Sequence, residues 1–327
     1  LRKLADKTPG GAGRPAPFFL LFALGDDGLV PIQWYPGHMA KAKRLMADEL
    51  RSVDVVVELA DARLPVSSRS PVLDELAGRK PRLLVLTHVD LADAQRTDQW
   101  MDWFRQTGVI AIPVNARTGQ GLREFRRALD EVAEAKAKRA RARGVLNVTT
   151  RGMICGIPNV GKSSFVNQLA GRAVAKTGDR PGVTRALQWI RVGRSELLDT
   201  PGVLAPKLAT EEQGLKLAAS GAVKDEVFEA PEVCAYVLCY LSQRYPHALA
   251  ERYGIVVQTP VEWTELSSVW PQVEPWFDHI GRTRGALGAG GRVDEERVAK
   301  LVLRDLQEGR LGPVSLEWPE DVARLHE

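Results

Sequence analysis

Cysteine is scarce: the 327 residues contain three, Cys155, Cys234 and Cys239, and their spacing matches no zinc site. Cys155 lies inside an apolar run, which predicts a buried thiol, and so few cysteines fit a reducing compartment. Long hydrophobic runs are also lacking. The stretch from Phe18 to Leu24 follows Arg2, Lys3, Lys7 and Arg14, but it is too short to cross a bilayer. No clear small-x-small cleavage pattern follows it. The chain begins with Leu rather than Met, and residues 1–31 are expected to be a disordered leader or an over-extended start. An excess of one charge is missing as well. The net charge of +4 permits an anionic partner without demanding one. What remains, 44% hydrophobic and 26% charged residues, fits a soluble globular protein with room for two domains.

Apolar runs alternate with helical patterns between about Val53 and Thr200. Strands are expected over Val53 to Ala60, Arg82 to Leu86, Val109 to Val114, Met153 to Ile157, Leu187 to Val192 and Glu196 to Leu198. Helices are expected over Ala94 to Gln106 and Leu122 to Ala142. This alternation predicts an α/β fold with a mostly parallel, doubly wound sheet, whose strands present ligand-binding loops at their carboxyl ends. Beyond Gly202 no convincing strand follows, and Glu211 to Val223, Pro231 to Gln243 and Val293 to Gln307 read as helices. The expected division is 32–208 for the α/β domain and 209–327 for a smaller all-α domain. A basic stretch with Lys136, Lys138, Arg139, Arg141 and Arg143 has no acidic residue after Glu134. It reads either as a solvated helix face or as a contact for RNA phosphates.

Three short motifs carry chemistry. Gly156-Ile157-Pro158-Asn159-Val160-Gly161-Lys162-Ser163 matches G-x-x-x-x-G-K-S, with a strand before it and a helical pattern after it. In such a loop the backbone from Asn159 through Val160, Gly161 and Ser164 wraps the phosphates. Lys162 reaches the β/γ oxygens and the Ser163 hydroxyl ligates magnesium. Asp199-Thr200-Pro201-Gly202 matches D-x-x-G. Asp199 would hold magnesium through water, and the Gly202 N–H would sense the γ-phosphate. Thr184, between the two motifs, is the natural switch threonine, closing on magnesium when that phosphate is present. Thr87-His88-Val89-Asp90 is placed to read guanine, with Asp90 accepting from N1–H and N2–H₂. It departs from N-K-x-D at Thr87 and His88. Asn115 and Ala116 end the next strand, and the Ala116 N–H would meet guanine O6. These base-reading residues precede the phosphate loop, the reverse of the ordinary order, so the domain reads as a circularly permuted P-loop GTPase.

Ile32 to Ala42, with Pro36-Gly37-His38-Met39 at its centre, resembles the opening of the circularly permuted ribosome biogenesis GTPase A (RbgA/YlqF) family. Asp61-Ala62-Arg63-Leu64-Pro65 with Ser67-Ser68-Arg69 resembles that family's next signature. The phosphate loop, Asp199 to Val203, and the tail motifs Arg284 to Leu287 and Gly309 to Gly312 resemble it too. The resemblance spans roughly Ile32 to Trp318. It implies a GTP hydrolase, cycling between GTP and GDP with magnesium, that drives or checks late assembly of the large (50S) ribosomal subunit. The helical domain is implied to bind ribosomal RNA, with the large-subunit precursor as partner. Val203 stands where many GTPases place a water-orienting glutamine, and the family resemblance points instead to His38, whose other reading is a cap for the helix beginning near Met39 or a contact for RNA. Asn159 matches an asparagine associated with potassium-stimulated GTPases. A cytoplasmic monomer without stable membrane association is expected. Thr87, His88 and Val203 keep open a second reading, an RNA-docking nucleotide-binding scaffold with little hydrolysis.

Overall fold

The computed structural model describes residues 46–70, 73, 76–78, 80–171, 188–200, 208 and 210–323. Six strands form one sheet: β1 (Val55–Asp61), β2 (Arg82–Thr87), β3 (Ile110–Pro113), β4 (Thr150–Gly156), β5 (Gln188–Val192) and β6 (Ser195–Asp199), in the order β3-β2-β1-β4-β6-β5. All neighbours are parallel except the β5–β6 pair, which is antiparallel. β1 is buried along its whole length, as a central strand covered on both faces must be.

Side-chain alternation divides the sheet's two faces. Val55, Val57, Leu59, Leu83, Val85 and Ile154 face a core that also takes in Phe125 and Leu129 of α2 (Leu122–Arg141) and Phe165 and Val166 of α3 (Lys162–Ala170). On the other face, Ala60, Leu84 and Leu86 pack with Trp100 and Phe104 of α1 (Ala94–Gln106). Val56, Met153 and Cys155 pack there with Met46 and Leu50 of the helical residues 46–52. Asp93 caps α1 by accepting from the N–H groups of Gln95 and Arg96. Gly121 precedes α2 at φ 85°, and a Cβ there would lie 2.1 Å from the Pro113 carbonyl oxygen, so only glycine fits this turn.

From residue 210 the described chain is helical: α4 (Glu211–Ser220), α5 (Ala230–Arg244), α6 (Pro246–Tyr253), α7 (Leu266–Arg284), α8 (Glu295–Gln307) and α9 (Pro319–Ala323). α5 is its hub, buried along most of its length between α4, α7 and α8. The core of these helices is continuous with one face of the sheet. α6 and α7 are two elements that the sequence reading left unassigned. α7 contains Pro271 and Pro275, residues that ordinarily end helices. Both lie on its solvent side, four residues apart, while Val269, Val273, Phe277 and Ile280 form its buried stripe. The carbonyls that the prolines leave unpaired therefore face water, and burial of the opposite stripe holds the helix.

Candidate nucleotide site

The base-reading residues lie at the carboxyl ends of β2 and β3, the phosphate loop at that of β4 and Asp199 at that of β6. Gly161, at φ 80°, turns the chain from the phosphate loop into α3, whose first residues are Lys162, Ser163 and Ser164. The loop N–H groups and the helix dipole therefore converge where phosphate would sit. Lys162 is buried, and its Nζ lies 2.6 Å from Asp199 Oδ1 at the end of β6. The two motifs thus meet as a direct ion pair. Ser163 follows Lys162 in the same turn. These hard oxygen donors, a hydroxyl and a carboxylate, suit magnesium. No group of three or more His, Cys, Asp or Glu side chains able to hold a metal occurs among the described residues, and magnesium bound beside phosphates ordinarily keeps several waters.

The base-reading side is tied to the phosphate loop. Thr87 Oγ1 is fully buried and lies 2.6 Å from the Val160 carbonyl oxygen and 3.0 Å from that of Ala60. Threonine in place of the usual asparagine thus still joins the end of β2 to the phosphate loop. His88 adopts φ 53°, and its ring lies against Gly161, where a Cβ would be 3.3 Å from Nε2. Asp90 is exposed, with Arg117 Nη1 near it at 3.7 Å. An ion pair this exposed is weak and leaves the carboxylate available to a base. Asn115 is buried; its Oδ1 accepts from the N–H groups of Arg117 and Thr118, closing the turn that carries Ala116.

Asn159 also has a left-handed backbone, φ 55°, and its Nδ2 donates to the Gly221 carbonyl at 2.7 Å. That carbonyl ends α4, so the phosphate loop touches the helical region directly. His38, Thr184 and Gly202, with Val203 and the leader 1–31, lie outside the described residues.

Comparison with known proteins agrees with this geometry. A family model described as a 50S ribosome-binding GTPase matches residues 151–245. The match opens in β4 and takes in the phosphate loop, while Thr87 to Asp90 stand before it. Ribosome biogenesis GTPase A of Bacillus cereus is 46% identical over 89% of this chain and 95% of its own length. The chain belongs to the ribosome biogenesis GTPase A family. Its Thermotoga maritima relative is 29% identical over 90% of this chain and 98% of its own. A solved structure described as GDP-bound YlqF superposes with a TM-score of 0.59 at 27% identity, covering 85% of this chain and all of that one. A second, GNP-bound YlqF from T. maritima, gives 0.57 at 28% identity over 86% of this chain and 99% of its own. Family membership makes the chain a GTP-hydrolysing enzyme with an α/β nucleotide domain followed by a helical region.

Some contributors to the site were not assigned roles from sequence. Asp61 and Arg63, in the Asp-Ala-Arg signature, form a buried bidentate pair at 3.0 and 2.7 Å, and Arg63 Nη2 also donates to the Ser220 carbonyl at 3.2 Å. Burial pushes the Asp61 carboxyl up, but Arg63 and His88 outweigh it and hold the group well below the usual carboxylate range. Glu317, near the C-terminus, accepts from the N–H groups of Val66 and Ser67 at 2.8 and 3.0 Å and from the Ser67 hydroxyl. Ser67-Ser68-Arg69 is a signature in the sequence, but nothing in it names a partner 250 residues away. The thiols play no part in this chemistry: all three are buried, and burial pushes Cys239 up to about 12.

Proposed function

We propose that this GTPase drives or checks late assembly of the large ribosomal subunit, binding the precursor particle through its helical domain, residues 209–327. One observation carries the chemical half of this reading: the Lys162–Asp199 pair, the Thr87–Val160 bridge and the exposed Asp90 stand together around one loop cluster. The relatives' names, and the guanine nucleotides in the solved YlqF structures, support the partner and the ligand.

In this reading Asp90 selects guanine, and the Ala116 N–H meets O6. Lys162 and the N-terminus of α3 neutralise the β/γ-phosphates. Ser163 and Asp199, with Thr184, would hold magnesium, which offsets charge on the transferred phosphoryl group. The ion pair with Asp199 keeps the Lys162 ammonium at the loop until phosphate oxygens compete for it. Asn159 would lend its amide oxygen to potassium, and the Gly202 N–H would contact the γ-phosphate. His38 takes the proton of the attacking water as its oxygen bonds phosphorus and the bond to GDP breaks. Small GTPases lacking a supplied catalytic group turn over at about 10⁻⁴–10⁻³ s⁻¹, and supplying one adds about 10³–10⁵-fold. His38→Ala is expected to lose most of the turnover seen with large subunits while keeping GTP affinity. Undiminished turnover would remove His38 from the mechanism.

Basic residues that could contact RNA occur in two places. In and just after α2, Lys136 is paired with Asp54 and Arg141 with Glu134, whereas Lys138, Arg139 and, in the turn that follows the helix, Arg143 are exposed with no ion pair among the described residues. At the end of α7, Arg282 pairs with Asp278, and Arg284 donates to the Arg252 carbonyl. The glycine-rich segment after α7 is an ordered turn: Gly288 N–H donates to Arg292 O, and Leu287 bridges Val293. It therefore presents Arg292 on fixed backbone. Co-sedimentation with purified large and small subunits tests the partner. Binding to large subunits alone, strengthened by GTP over GDP, is expected; equal binding to both subunits would contradict it.

A further inference from the structure

Asp61 takes no part in the chemistry above, yet it adjoins the loop that reads the base. It ends β1, is 4% exposed, and its carboxylate accepts from Arg63 and, at 3.0 Å, from Nδ1 of His88. An ionised carboxylate only accepts, so the proton in this contact is on Nδ1. His88 has a left-handed backbone, which a residue other than glycine keeps only where its neighbours hold it. Its ring meets Asp61 at 3.0 Å and, more distantly, Thr87 Oγ1 at 3.5 Å through Nδ1, while Gly161 lies against Nε2. A lysine at this position would reach over the loop with its long stem. Imidazole is shorter and takes its orientation from the carboxylate. Asp90 follows two residues later, on the same turn, where the Leu91 N–H donates to the His88 carbonyl at 2.9 Å.

We propose that Asp61 is a positioning residue for guanine recognition: through His88 it fixes the turn that presents Asp90 to the base. This rests on the reading of Asp90 as the guanine acceptor. Arg63 serves as the anchor of the arrangement, since its second contact, to Ser220, fixes the guanidinium that holds Asp61.

Asp61→Asn leaves Arg63 buried without its counter-charge and risks the fold, so His88→Ala, which keeps the Asp61–Arg63 pair, is the primary variant. GDP and ADP affinities are measured by calorimetry for the wild type, His88→Ala, Asp61→Asn, the double variant and His88→Lys, with thermal unfolding alongside. Each single substitution is expected to cut the preference for GDP over ADP about tenfold, a coupling usual for residues in one hydrogen-bond network. The double variant is expected to lose no more than either single one. His88→Lys is expected to keep the preference, because its ammonium can donate to Asp61. An unchanged preference in His88→Ala, equal weakening of GDP and ADP, or losses that multiply in the double variant would each overturn the proposal. A wild type that does not prefer GDP would instead overturn the reading of Asp90 itself.

Discussion

At the scale of single residues, side chains set specificity and charge placement. Asp90 is exposed beside a weakly paired arginine, so its acceptor oxygens are open to guanine. Asp90→Asn replaces an acceptor by an amide and should shift preference from guanosine toward xanthosine nucleotides. Sites built to hydrogen-bond one group can reject an analogue lacking it by about 10⁴-fold. Competition binding with GTP, XTP and ATP checks this, and equal wild-type binding of ATP and GTP would contradict it. Asn159 is expected to make turnover faster in potassium than in sodium at equal ionic strength, with the difference gone in Asn159→Ala. Identical wild-type rates in the two salts would refute that role. The motifs alone anticipate that Lys162, Ser163 and Asp199 meet at neighbouring strand ends, and Lys162 and Asp199 do pair there. Sequence did not make the Asp61–His88 contact legible, because that contact joins the ends of two different strands.

At the scale of elements, the central strands could be read because they are continuous apolar runs, buried on both faces, that end in the motifs. α1 was legible to the residue, since Asp93 caps it and Thr107 closes it. α7 was not, because Pro271 and Pro275 read as breakers until their common solvent face is seen. The long-range links between elements are polar and buried. Glu317 ties the C-terminal tail to the turn after β1, and Trp100 Nε1 donates to the Glu317 carbonyl at 3.0 Å. Glu317→Ala would leave two buried N–H groups unpaired and should lower unfolding free energy by about 3 kcal/mol. Urea unfolding measures it, and a change below about 0.5 kcal/mol, as for an ordinary surface site, would show the tail to be loosely held. Asp61 supplies a pH signature. Its folded value lies below the ordinary 3.8, so its contribution to stability is complete above that value and is lost as pH falls through the folded one. Asp61→Asn should therefore flatten the acid limb of stability below about pH 4, as measured by denaturation across pH. An unchanged limb would mean that the pair forms in the unfolded chain too.

At the scale of the whole molecule, permutation decides what the nucleotide site is wired to. Among the described residues, those after the strand bearing Asp199 belong to the helical region and add no strand to the sheet, and α4 ends against both the phosphate loop and Arg63. Ser220 and Gly221, adjacent in sequence, offer their carbonyls to Arg63 and Asn159, which follow the neighbouring strands β1 and β4. Motif order revealed the permutation; the contacts of α4 could only be seen once the chain was folded. The helical region's exposed Arg282, Arg284 and Arg292 are expected to supply part of the affinity for RNA. Reversing their charge should weaken large-subunit binding and flatten its dependence on salt, with GTP affinity unchanged. Filter binding over a salt series checks this, and unaltered binding would place the contact elsewhere.

GTP turnover measured with and without purified large ribosomal subunits tests the central claim most directly. Slow hydrolysis alone, near about 10⁻⁴–10⁻³ s⁻¹, and stimulation of tenfold or more by large subunits are expected, with none from small subunits. Turnover that is the same with and without large subunits would contradict an assembly GTPase switched by its particle.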